Sequence, residues 1–199
     1  DLIEAVPAEF VLTAAPNGEL AGNLVRRGVQ IHRVPALSVF FTYFGINDPV
    51  VGGYTPERVA LRRAIALGYD VDAAIRINAR GQAVAAQTVL PPGAIGFDPK
   101  LKSPLAEYDP AQAKALLDTY GYIDRDGDGW RDQPDGSPLR LVMASVSNQL
   151  ARNADELWKK SMNAIGIRID FRKGKFQELI RDSRAGKLMM FGSGWSGPM

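Results

Sequence analysis

The chain has 199 residues, a formal net charge of +2, 46% hydrophobic residues and 23% charged residues. That is the profile of an ordinary folded domain, long enough to bury a core without covalent staples, and so small a net charge argues against a nucleic-acid partner. Cysteine is absent, which excludes thiolate catalysis, disulfides and Cys-rich zinc sites. A basic excess is confined to residues 152–187, where it alternates with apolar positions as on the solvated face of packed elements.

In chain order, the opening residues Asp1-Leu2-Ile3-Glu4 lack the basic start and apolar run of a signal peptide. The expectation is a piece of a longer protein. Residues 29–43 are rich in β-branched and aromatic types and predict one or two strands. Thr55-Pro56-Glu57 predicts a helix start, with a hydroxyl at the cap, proline first and an acid in the first turn. Leu61, Ala64, Ile65 and Gly68 then share one helical face. Asp70-Val71-Asp72 restarts a shorter helix reaching about Ala79, and the Pro/Gly-rich residues 86–108 read as a long surface connection.

Asp109-Pro110 opens the clearest helix, with Ala113, Leu116, Leu117 and Tyr120 as its buried stripe and Gly121 at its left-handed end. An acidic turn follows from Asp124 to Gly136. Leu139, Leu141 and Met143 then alternate as a strand; Leu150, Ala154, Leu157, Trp158 and Ile165 mark a long helix; Ile167, Ile169 and Phe171 alternate as a second strand; Phe176, Leu179 and Ile180 mark another helix; and Leu188 to Phe191 form a third strand. Residues 139–193 therefore predict a right-handed, parallel β-α-β-α-β unit, and the fold class is α/β.

Three features could carry chemistry, and each has a plainer reading. The one histidine, His32, falls in a predicted strand with nothing around it that brackets a nucleophile. Gly192-Ser193-Gly194-Trp195-Ser196-Gly197 fits G-x-G-x-x-G, but no helix start follows and a bulky Trp stands where phosphate approach needs small residues. Asp124, Asp126, Asp128 and Asp135 stand at calcium-loop positions one, three, five and twelve, with Gly129 at six. The last acid is Asp rather than Glu and a strand follows, so a metal-free turn built on Asp-Gly pairs is the main reading. No cofactor is expected.

Three segments carry a family resemblance. Val59 to Asp70 (VALRRAIALGYD), Tyr108 to Leu117 with Gly121-Tyr122 (YDPAQAKALL, GY), and Ala164 to Ile169 (AIGIRI) resemble, in order and spacing, segments of the bacterial extracellular solute-binding proteins of family 5. The chain departs from the pattern around Phe44-Gly45-Ile46-Asn47, where the loop before Arg62 is longer.

The resemblance implies one lobe of a periplasmic-binding-protein type II-like (cluster C) two-lobed fold, a mixed sheet flanked by helices, with residues 1–199 forming most of the second lobe. It implies the substrate-binding component of an ABC importer, a monomer in the periplasm or tethered outside the cell. Such a protein closes on a peptide or peptide-like solute between its lobes and docks on permease subunits. Nickel chelates, sugars, haem and antibiotics stay open as ligands. The alternative is a small α/β enzyme, a hydrolase or nucleotide-using domain. Trp195, Tyr43 and Asn47 are the expected ligand residues, with Trp195 half-exposed near Tyr43, Trp158 buried, and Phe40, Phe41 and Phe44 mainly core.

Overall fold

A computed structural model describes residues 19–196 apart from 31, 33–35 and 80. The elements are α1 (Gly22–Arg26), β1 (Ser38–Phe44), α2 (Pro56–Gly68), α3 (Val71–Asn78), α4 (Pro110–Thr119), β2 (Arg140–Val146), α5 (Gln149–Ala164), β3 (Arg168–Gly174), α6 (Phe176–Arg184) and β4 (Met190–Ser196). The strands form one sheet in the order β1-β4-β2-β3. β2 pairs in parallel with both β3 and β4, as the alternating pattern of residues 139–193 predicts. β1 runs antiparallel to β4 and makes the sheet mixed.

The helices start where their caps dictate. Asp70 accepts the Ala73 N–H, Asp109 the Gln112 N–H and Asn148 the Ala151 N–H, each at 2.8 Å. Each carboxylate or amide oxygen thereby satisfies a donor that the first helical turn leaves orphaned. Thr55 occupies the cap position of α2 but its hydroxyl takes no such bond. Gly121 and Gly166 have φ of +80° and +78°, and each lets the chain leave a helix within a residue or two.

Side chains alternate across the sheet. On one face Leu141, Met143, Ile169 and Met190 meet Leu61, Ile65, Leu117, Trp158 and Met162 from α2, α4 and α5. On the other, Ala144 and Phe191 meet Leu179 of α6, with Tyr43 against the edge of the group. Tyr69 stacks on Trp158 at 4.1 Å between centroids, and burial, with the Asp70 charge second, pushes its phenol up to about 12.

Several expectations need correction. Leu150 and Phe176, which mark their helices by spacing, are exposed, each standing in the first turn of its helix. The buried side of α5 includes instead Asp155, Ser161 and Met162. His32 is exposed and lies in no strand; of the strand expected over residues 29–43 the structure shows Ser38–Phe44, residues 29, 30, 36 and 37 lie outside any strand, and positions 31 and 33–35 fall outside the described residues. The third strand begins at Met190 and runs through the glycine-rich segment to Ser196.

Among the described glycines, Gly45 sits closest to neighbouring backbone. Its N–H donates to the Met189 carbonyl at 2.8 Å, and a Cβ there would lie 2.3 Å from the Leu188 carbonyl oxygen. Backbone must shift to admit a methyl group, so Gly45→Ala should cost about 1–3 kcal/mol, the usual range for overpacking. Urea unfolding of the full-length protein measures this; an unchanged midpoint would mean that the β1–β4 junction yields more easily than this close approach implies.

Candidate functional site

Parallel strands present their carboxyl ends to one edge of a sheet, and α/β proteins commonly build binding sites there. Here that edge carries Ser145 and Val146 of β2, Lys173 and Gly174 of β3, and the last residues of β4. β4 overhangs its neighbour: Phe191 pairs with Ala144, so Trp195 lies about two residues beyond the end of β2.

Trp195 is 37% exposed, whereas Trp158 is 6% exposed, which matches the contrast expected from their surroundings. The indole N–H of Trp195 donates to the Val89 carbonyl at 3.0 Å. That bond ties the end of β4 to the connection that follows α3, and Gly93 of the same connection lies against Leu37 just before β1. With its polar atom engaged by protein, the exposed part of the ring is apolar carbon and π surface.

Tyr43 does not lie beside Trp195. It pairs across the ladder with Phe191, while Trp195 pairs with Val39, a separation of about 13 Å at the rise of a strand. The Tyr43 ring meets Phe191 edge-on at 6.2 Å, and its hydroxyl donates to Ser183 Oγ at 2.5 Å under α6. Asn47 is exposed in the turn after β1, which is the end of the sheet where β4 begins, opposite to Trp195. The antiparallel run of β1 causes this split. Of the three expected ligand residues, Trp195 alone lies at the carboxyl edge.

A polar group at that edge is not legible from spacing. Asp155 of α5 is 8% exposed and accepts from Ser145 Oγ at 3.1 Å, and Lys173 Nζ bonds both Ser145 Oγ, at 3.1 Å, and the Asp155 carboxylate. The Lys173 side chain is 39% exposed and runs from the surface to the buried Asp155 carboxylate. The i, i+2 alternation of β2 and β3 puts Ser145 and Lys173 on the same face as Met143 and Phe171, which is the only signal the sequence offers.

The glycines of β4 have a packing role. Phe40 lies over Gly194, where a Cβ would come 2.7 Å from the ring. The segment that fits a dinucleotide fingerprint is thus a strand in ladder with β1. Phe40 itself is 83% exposed and Phe41 39%, against the expectation of core positions, because no helix of the described residues extends over the start of β1.

The acidic turn gathers carboxylate oxygens of Asp124, Asp126 and Asp128 within 4.8 Å of one another. Each is already engaged. Asp124 accepts the Gly127 and Gly129 N–H groups, Asp126 accepts the Asp128 N–H, and Asp128 accepts both the Trp130 N–H and Arg168. Arg168 also lies over the Trp130 ring at 5.2 Å. Asp135 stands apart from the trio. The Ser137 hydroxyl and N–H bond its carboxylate and hold its pKa below the usual carboxylate value. Nearby, Arg131 donates to the Ile165 carbonyl at 2.8 Å and to Asp118 at 2.6 Å, fixing the turn to α4 and α5 beside a concavity of about 400 Å³.

The chain belongs to the bacterial extracellular solute-binding proteins, family 5, whose family model matches residues 6–199. It is 30% identical over 139 residues to di/tripeptide-binding protein 2 of Pseudomonas aeruginosa, an alignment covering 69% of this chain and 24% of that protein. Its fold is similar to that of the oligopeptide-binding protein AppA of Bacillus subtilis, solved with a nonapeptide (TM-score 0.72, 18% identity, 82% of this chain and 32% of that one). It is also similar to a periplasmic oligopeptide-binding protein of Thermotoga maritima (TM-score 0.70, 22% identity, 92% and 36%). The chain therefore spans about a quarter to a third of the length of these relatives.

Two measurements probe the polar clusters. Lys173→Met strands a buried carboxylate and should cost about 3 kcal/mol or more, whereas Asp155→Asn keeps a hydrogen-bond partner and leaves Lys173 free to reach water, costing about 1 kcal/mol. Equal costs in denaturant melts would mean the pair is not buried as described. For the acidic turn, millimolar calcium should leave the melting temperature unchanged, since the carboxylates are satisfied by N–H groups and Arg168. A rise reversed by chelator would show that the folded state binds the ion.

Proposed function

We propose that the protein containing this chain is the solute-capturing subunit of an ABC importer, working in the periplasm or tethered outside the cell and docking on permease subunits. In this reading residues 1–199 make up most of its second lobe. Its solute is a peptide or peptide-like molecule held against the carboxyl edge of the sheet and closed over by the rest of the protein. Membership of the family supports the transport role. The di/tripeptide-binding relative and the nonapeptide bound by AppA support a peptide over other solutes.

The observation that carries the proposal is the state of Trp195. Its N–H is bonded to Val89, its ring is half-open, and it projects past the end of the neighbouring strand. A ring fixed in this way loses little entropy on meeting a ligand and offers apolar area at low cost. The partly exposed side chain of Lys173 lies along the same edge, its ammonium already paired with Asp155, and offers the solute a polar contact there. Tyr43 and Asn47 have no direct ligand contact in this arrangement; Tyr43 anchors β1 to α6, and Asn47 faces the opposite end.

The protein has no chemistry of its own in this reading. A hydrolase needs a histidine held against a nucleophile, and His32 is exposed outside any helix or strand. In the full-length protein Trp195→Ala should weaken peptide binding by about 2- to 30-fold, the equivalent of about 0.5–2 kcal/mol for an aromatic contact. The melting temperature should stay within about 2 °C, because the ring is not core. Titration calorimetry with co-purified or synthetic di- and oligopeptides measures the first and scanning calorimetry the second. Full affinity in the variant would move the site elsewhere.

A further inference from the structure

At the entrance to β4 a side chain takes the place of a ladder bond. β2 pairs with β4 through Met143↔Met190 and Ala144↔Phe191. One residue earlier the backbone of Met189 turns the other way, and its carbonyl accepts the Gly45 N–H at 2.8 Å, just past the end of β1. The Val142 N–H, one residue before the paired stretch of β2, donates to the Met189 thioether sulfur, Sδ, at 3.1 Å. Met189 thus links the ends of β1 and β2 through two different atoms, and the weaker of its two acceptors is the sulfur.

This methionine is also the one within reach of solvent among the described residues. Met189 is partly buried, whereas Met143, Met162 and Met190 are 8%, 0% and 0% exposed. Met189 and Val142 border a concavity of about 190 Å³ whose other walls include Asp48, Arg172 and Lys187. Asp48 accepts the Val50 and Val51 N–H groups, Arg172 is paired with Asp182, and Lys187 is exposed. The space admits a small reagent, and the two cations suit the negative end of an S–O dipole.

We propose that Met189 is a site of reversible oxidation by a peroxide, giving a sulfoxide of one handedness. A thioether sulfur has two lone pairs, and oxygen on one or the other gives opposite epimers. Val142 occupies one of them, so the reagent meets the second. That pair attacks the outer oxygen of hydrogen peroxide; the S–O bond forms as the O–O bond breaks, and the departing hydroxide takes the proton of the transferred oxygen and leaves as water. Sulfur is oxidised by two electrons and the peroxide is reduced by two. A sulfoxide reductase of the matching handedness restores the thioether. The change is confined to the entrance of β4, at the end of the sheet opposite Trp195, with the oxygen lodged in the concavity.

The test exposes the full-length, folded protein to millimolar hydrogen peroxide and follows each methionine by peptide mapping. If the inference holds, Met189 is oxidised at least about tenfold faster than Met143, Met162 and Met190, and about nine-tenths or more of its sulfoxide is one epimer, reduced in the digest by one of the two epimer-specific reductases and not by the other. Oxidation no faster than that of Met190 overturns the site. Comparable amounts of both epimers, as a freely exposed methionine gives, overturn the role of Val142. The oxidised protein should melt within about 4 °C of the reduced one; a larger fall means that the oxygen is forced into the core, and overturns its place in the concavity. A second variant tests the hydrogen bond itself. Met189→Leu keeps the volume and removes the acceptor, so the Val142 amide should exchange faster than in the unaltered protein while that of Met143 does not. Equal Val142 rates would mean that the sulfur is not its acceptor, against the proposal. None of these readouts involves the solute, so failure of the Trp195 site leaves Met189 untouched, and the reverse is also true.

Discussion

The ladder between β1 and β4 is the constraint from which the rest follows. It joins residues near the two ends of the described chain, and everything between them is folded into the loop it closes. Closing so long a loop costs chain entropy before any contact offsets it. The compensation comes from Met190 and Phe191, which enter β4 from the parallel unit and face the two cores in turn. Without β2 beside it, β4 would have one partner and little side-chain area, since most of its later residues are glycine and serine. The parallel unit therefore makes the antiparallel pair possible, and the pair in turn carries Trp195 past the sheet to where the Val89 carbonyl meets it.

That dependence explains which parts of the fold are readable in the sequence. Helices α2 to α5 announce themselves by local chemistry: Asp70, Asp109 and Asn148 cap three of them, and two begin with proline. β3 alternates because it is buried mainly on the side that faces α5, whereas β2, between two strands, is a near-continuous apolar run from Leu141 to Ala144 that serves both cores. β4 is readable only as far as the apolar Met190-Phe191 pair, because Gly192-Ser193-Gly194 has the composition of a turn. It is a strand only because β1 supplies the hydrogen bonds and Phe40 covers Gly194. The family resemblance is readable for the same reason as the helices, since its three segments lie on α2, on α4 and at the junction of α5 with β3.

The candidate site is less legible, and the reason is geometric. Tyr43, Asn47 and Trp195 are all near strand ends, but nearness to an end does not say which end. The antiparallel direction of β1 sends Asn47 to one edge of the sheet and Trp195 to the other. Ser145, Asp155 and Lys173 are hidden for a different reason. They are scattered over three elements, and a serine, an aspartate and a lysine are each commonplace on a surface. Only the crossing of α5 over β2 and β3 reveals that Asp155 is buried and needs both partners.

Electrostatics at the two ends of the sheet then differ in kind. At the end where the strands begin, the acidic turn is closed on itself: backbone N–H groups and Arg168 occupy its carboxylates, and Asp135 is occupied by Ser137. Such a turn is a structural clamp with little left to give a ligand. At the carboxyl edge the balance is unfinished. Lys173 satisfies a buried carboxylate yet keeps part of its side chain in water, and Trp195 satisfies its N–H yet keeps part of its ring bare. Groups held by protein on one side and open on the other are preorganised, because the cost of ordering them is met in folding and not again in binding. In the proposed reading, where this chain is one lobe, it contacts one side of a solute and gains affinity when a second surface closes on the other side. Half-exposure at this edge suits that reading, whereas full burial would suit a core and full exposure a surface with no partner.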